Sequence, residues 1–179
     1  RRPERVGVRT GHPCPDPCLL ARELADDALL RADIERLRGR IEVNVGSATD
    51  AHRIFMQAAR AVASLDPVRA LEMAVAATLM RSYGADSGTP LYADTLLIAV
   101  EAGDTTRTRC LKHLLAAMTL AGNGAWGDAV AALRPALAIG HEVEDLDLLG
   151  NLGNAALNLG DDEASRRFYT QMLTNARVR

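Results

Sequence analysis

The feature that constrains this chain most is a junction that recurs along it. Gly46, Gly124 and Gly160 each end an apolar helical run, and each is followed closely by a small residue, Ala51, Ala129 and Ala164. Gly46 and Gly124 lie 78 residues apart, two units of 39, and Gly124 and Gly160 lie 36 apart. The intervening junction is expected near Gly84, where residues 84–90 read as a longer loop. A spacing of ~34 to 40 residues with two helices per unit is that of α-α repeats. Seven residues before each glycine stands a small residue (Gly39, Ala117, Gly153), and a bulky one follows the alanine (Phe55, Leu133, Phe168). Close helix pairing needs this alternation of small and large side chains.

Between the junctions the apolar spacing predicts helices over 18–25, 27–45, 50–65, 67–82, 91–101, 105–121, 126–139, 145–159 and 161–176. Leu30, Ile34, Leu37, Ile41 and Val45 are the expected core stripe of the second, and Ile54, Phe55, Ala58, Val62 and Leu65 that of the third. Thr49 or Asp50, Asp66 before Pro67, Asp104 or Thr105, and Asp161 or Asp162 are the expected caps. No stretch alternates with the period of a strand. Residues 1–17, with four Arg and four Pro, read as a linker. Residues 18–179 read as one all-α domain, a right-handed α-α superhelix of about four tetratricopeptide-like (TPR-like) helix pairs. The 31 Ala and 25 Leu suit helix, and aromatics are only 3% of the chain.

A net charge of −2 gives no footprint for nucleic acid or an anionic membrane surface. No apolar run approaches the ~18 residues of a membrane span. The chain starts at Arg1 with no secretory pattern, and reads as a piece of a longer protein. Three cysteines form no disulfide framework, which fits a reducing cytoplasm. His12, Cys14 and Cys18 offer half of a metal site, and no second ligand pair completes it.

Gly122, Gly124 and Gly127 spell the dinucleotide-binding pattern, but after a helix and not a strand. His141-Glu142 lacks the second His of a zinc protease motif, and His113 reads as a packed or groove-facing residue. Ser82 and Ser87 lack a nucleophile elbow. Lys112, the single lysine, is not part of a phosphate-binding loop. No set of nucleophile, base and orienting group emerges. The expectation is a protein that is not an enzyme and holds no cofactor or metal.

Residues 29–79 contain Leu-Leu-Arg-Ala-Asp-Ile-Glu-Arg-Leu-Arg-Gly-Arg-Ile, then Gly46, Ala-Ala-Arg, Leu-Asp-Pro and Ala-Leu-Glu-Met-Ala. Together with Gly-Ala-Trp-Gly-Asp-Ala-Val-Ala-Ala-Leu-Arg-Pro-Ala-Leu at 124–137 and the surroundings of Leu-Gly-Asp-Asp-Glu-Ala in 152–173, this resembles one particular region. It is the helical-repeat region of large actinobacterial LuxR-type, MalT-like ATP-dependent transcriptional regulators. The resemblance runs over about residues 19–179. It implies a sensor or protein-interaction segment, with ATP and DNA bound elsewhere in a parent chain.

Two rows of polar residues are the candidate binding residues. Arg36, Arg40 and Asn44 follow each other at i, i+4, i+8 on the first helix of one pair. They are expected to face away from the Leu37/Ile41 side. Asn151, Asn154 and Asn158 do the same at i, i+3, i+7 on another. First helices of a superhelical stack line its concave side, where guanidinium forks take carboxylate or phosphate and amides take peptide backbone. Asn154 is the most pointed of the six, since Asn is unfavourable in mid-helix without a partner. Trp126 is expected to pack into the neighbouring pair. The expected partner is a protein or a small effector, with no direct nucleic acid and no membrane, and a homodimer is possible. The alternative is a stand-alone TPR adaptor that holds a peptide in the groove.

Overall fold

The computed structural model describes residues 27–85 and 101–178. All regular structure among them is helical: α1 (Ala28–Val45), α2 (Ala48–Val62), α3 (Pro67–Ser82), α4 (Thr106–Gly122), α5 (Trp126–Ile139), α6 (Leu146–Asn158) and α7 (Asp162–Val178). A single 3-10 turn, Gly140–Glu142, follows α5. The helices expected at 18–25 and 91–101 and the linker at 1–17 lie outside the described residues.

Local chemistry sets the ends. Asp66 accepts from the Arg69 N–H at 3.0 Å, with Pro67 at the first helical position. Thr105 caps α4 through the Thr108 N–H at 3.1 Å, Asp145 caps α6, and Asp161 accepts from Ala164 at 2.9 Å. The cap of α2 is Ser47, which accepts from Asp50 N–H at 3.3 Å, and not Thr49 or Asp50 as the sequence suggested. Three short polar residues, Ser47, Thr49 and Asp50, stand within four positions there, and the helix is capped two or three positions earlier than expected.

Three helices end in the same turn. Gly84, Gly124 and Gly160 have φ of 82°, 81° and 82°, in the left-handed region that favours glycine. In each, the glycine N–H and the next N–H reach back to the helix's last carbonyls. The second of these bonds runs from Ala85 to Met80 (3.1 Å), from Ala125 to Leu120 (3.0 Å) and from Asp161 to Ala156 (2.9 Å). This is the Schellman pattern, which satisfies carbonyls the helix itself leaves open. Gly84 is the junction the spacing demanded between Gly46 and Gly124.

Helices adjacent in sequence pack against each other, α5 and α6 only lightly, and α6 also touches α3 and α4. The small-against-large register is visible in atoms. A Cβ on Gly39 would fall 2.6 Å from the Phe55 ring, and one on Gly153 would fall 3.1 Å from Tyr169. Ala51, Ala117, Ala129, Ala164, Phe55, Leu133 and Phe168 are all buried. Each large buried side chain removes enough apolar surface from water to contribute about 1.5–3 kcal/mol.

Three expectations are overturned here. The stripe of α1 is not core: Leu30, Leu37, Ile41 and Val45 are 45–81% exposed, while Ala32 and Gly39 face the body. Short side chains let α1 approach α2 closely, and the larger residues are left on the opposite side. Leu65 falls beyond the end of α2 and is exposed, although Ile54, Phe55, Ala58 and Val62 are buried as expected. Trp126 does not pack into a neighbour. It is 58% exposed at the first position of α5.

Candidate functional site

A cavity of about 310 Å³ lies among α1, α3, α4 and α6. It sits at the small end of the range typical of small-molecule sites. Phe55, Leu79, Met80, Leu111 and Leu148 give it an apolar floor. Its polar wall collects side chains that are far apart in sequence. Arg36, Arg40 and Asn44 come from α1, and Asn151 and Asn154 from α6. Five of the six candidate residues therefore share one cavity. Asn158 does not: it lines a separate depression with Arg81 and Trp126, one turn past the end of the cavity wall.

Most of these groups are already engaged. Arg40 donates to both oxygens of Asp147, at 3.1 and 3.2 Å, and so ties α1 to α6. Asn44 donates back to the Arg40 carbonyl at 2.7 Å. The mid-helix Asn154 has its partners: its amide donates to the Tyr83 hydroxyl and accepts from the Tyr169 hydroxyl at 3.1 Å. Burial, with the nearby Tyr83, pushes the Tyr169 hydroxyl above its ordinary pKa.

The remaining charges form a network that the sequence reading did not single out. Arg107, at the start of α4, donates to Glu72 of α3 and, at 3.0 Å, to Asp145. Burial alone would lower the Arg107 guanidinium, but these two carboxylates outweigh it and raise its pKa. Burial likewise would raise the Asp145 carboxyl, and bonds from the Leu148 N–H and Arg107 hold it below the usual range. Arg36 lies 3.6 Å from Glu72, too far for a hydrogen bond. Asp145 was read only as the first residue of the helix expected over 145–159, and nothing in one sequence pairs Arg107 with Glu72 across 35 positions.

Groups with catalytic chemistry elsewhere are held in packing. Burial pushes the Cys110 thiol up to about 11, which leaves it a poor nucleophile near neutral pH. His113 of α4 is half-buried, outside the cavity, with its pKa lowered by burial. Gly122 ends α4, Gly124 lies in the turn and Gly127 is in the first turn of α5, so the dinucleotide pattern runs from one helix into the next with no strand before it. Among the described residues no cluster of His, Cys, Asp or Glu is arranged to hold a metal, and no helix is long and apolar enough to cross a membrane. His12, Cys14 and Cys18 lie outside the described residues. Comparison with protein-family models, curated proteins and solved structures finds no match to this chain.

Proposed function

We propose that this chain is the non-catalytic sensor segment of a cytoplasmic LuxR-type, MalT-like ATP-dependent transcriptional regulator, built as a right-handed superhelix of TPR-like helix pairs. The observation that carries the reading is the cavity itself. Helices spaced one repeat apart in sequence turn polar side chains toward a common apolar floor. The Gly46, Gly84, Gly124 and Gly160 junctions, 38, 40 and 36 residues apart, support the repeat. The residues that resemble the regulators' repeat region support the parentage.

A small effector suits the cavity better than an extended peptide. The volume is about 310 Å³, and the Arg40–Asp147 pair spans its rim. Binding there would favour one packing of α1 against α6 and shift the population of that state. ATP and DNA would be bound by other parts of the parent chain.

The test is the parent protein in its host. An antibody to this chain should detect a band near ~100 kDa, the size of several added domains. In that protein Ala76→Trp, which fills the cavity, should abolish the effector response and leave ATP and DNA binding intact. A band near 19.2 kDa would end the regulator reading. A full effector response in Ala76→Trp would end the sensor role of the cavity.

A further inference from the structure

The polar atoms of the cavity divide into those already bonded and those still free. Both oxygens of Asp147 accept from Arg40. One oxygen of Asp145 accepts from the Leu148 N–H at 2.9 Å and the other from Arg107. Glu72 accepts from Arg107 and faces Arg36. Each of the three carboxylates therefore accepts at least one guanidinium hydrogen bond, and the one carboxylate oxygen among them with no hydrogen bond, Glu72 Oε2, faces Arg36. Two donors remain. The Arg36 guanidinium is 44% exposed and its nearest carboxylate oxygen is 3.6 Å away. The Asn151 side chain, half-buried on the opposite wall, makes no hydrogen bond among the described residues.

From this donor surplus we infer that the cavity binds a small monocarboxylate with an apolar body. The carboxylate takes N–H bonds from Arg36, with the Asn151 amide as second donor, and the body lies on Phe55, Leu79, Met80, Leu111 and Leu148. The inference rests on the cavity being the ligand site. A guanidinium matches a planar carboxylate in geometry as well as charge. The three arginines and three carboxylates of the lining cancel, so the preference for a carboxylate comes from the unused N–H groups of Arg36 and not from a net positive charge, and a doubly charged anion is disfavoured. The volume holds a ligand of roughly ten to fifteen non-hydrogen atoms.

The experiment uses the whole 179-residue chain, isotope-labelled for NMR. Phenylpropyl, cyclohexylethyl and hexyl bodies are each presented with a carboxylate, phosphonate, primary amide or ammonium head. The readouts are the Asn151 side-chain amide signal and the Kd from shift titration. Carboxylates should bind at least about tenfold more tightly than the amides on the same body. Arg36→Gln should erase that difference while amide binding and the rest of the spectrum persist, and Arg36→Lys should restore part of it. Asn151→Leu should weaken the carboxylates selectively. A preference for ammonium or phosphonate, no preference, or a carboxylate preference that survives Arg36→Gln overturns the inference. If no body with any head group shifts cavity signals, the cavity is not a ligand site, and the sensor reading falls with it.

Discussion

Leu37 and Gly39 sit two positions apart in α1 and exchange the roles their chemistry suggests. The leucine is 57% exposed, and the glycine is buried with the Phe55 ring against it. Gly39→Ala is therefore expected to destabilise the fold by about 1–3 kcal/mol, because the methyl must displace a packed ring. Leu37→Ala should stay within about 0.5 kcal/mol of wild type. Urea unfolding of the two variants checks this, and the reverse ranking would mean that the leucine stripe is covered in solution. Periodicity shows that an apolar stripe exists, but not which side of the helix the body occupies. Asn154 is the opposite case. Its poor helix propensity marked it as a residue needing a partner, and the partners are two tyrosines, Tyr83 just past the end of α3 and Tyr169 of α7.

At the scale of elements, the turns are more informative than the helices they join. The three left-handed glycines have open space where a Cβ would go, so the cost of replacing them is purely conformational. Gly84→Ala, Gly124→Ala and Gly160→Ala should each cost about 1 kcal/mol, and asparagine at the same positions less. Gly127, inside α5 with a negative φ and equally open, is the control. Gly127→Ala should stabilise by about 0.5–1 kcal/mol. Thermal unfolding of the four variants separates the two kinds of glycine. Spacing revealed Gly124 and Gly160 directly. Gly84 was harder to see, because the polar run Ala-Asp-Ser-Gly-Thr-Pro follows it and resembles a loop that begins there. Helix extents were legible to within a few residues because the array packs mostly through neighbours in sequence.

Over the whole molecule, charge pairs link helices that sequence keeps apart, and they set its response to acid. Lys112 bonds Asp104 at 2.7 Å, and this bond, with the Glu101 N–H, lowers the Asp104 carboxyl. Asp145 is lowered as well. A carboxylate whose folded pKa lies below its unfolded value stabilises the fold fully above that unfolded value, and the stabilisation is lost as pH falls. The urea midpoint should decline gently below about pH 6.5, where His113 is protonated more readily in the unfolded chain, and fall more steeply below about pH 4. In Asp104→Asn that fall should be shallower, and an unchanged slope would remove Asp104 as its source. The rows Arg36, Arg40, Asn44 and Asn151, Asn154 were readable as helix faces. That they meet across one cavity was not, because the Arg40–Asp147 bond spans 107 residues of chain. That span has a consequence for synthesis. While the ribosome is still making residues beyond α4, three walls of the cavity can already be packed, but the fourth does not yet exist. The cavity is therefore completed only when the last quarter of the chain has emerged, and a chain cut short before α6 would have neighbouring helices in place and nothing with which to close around a ligand.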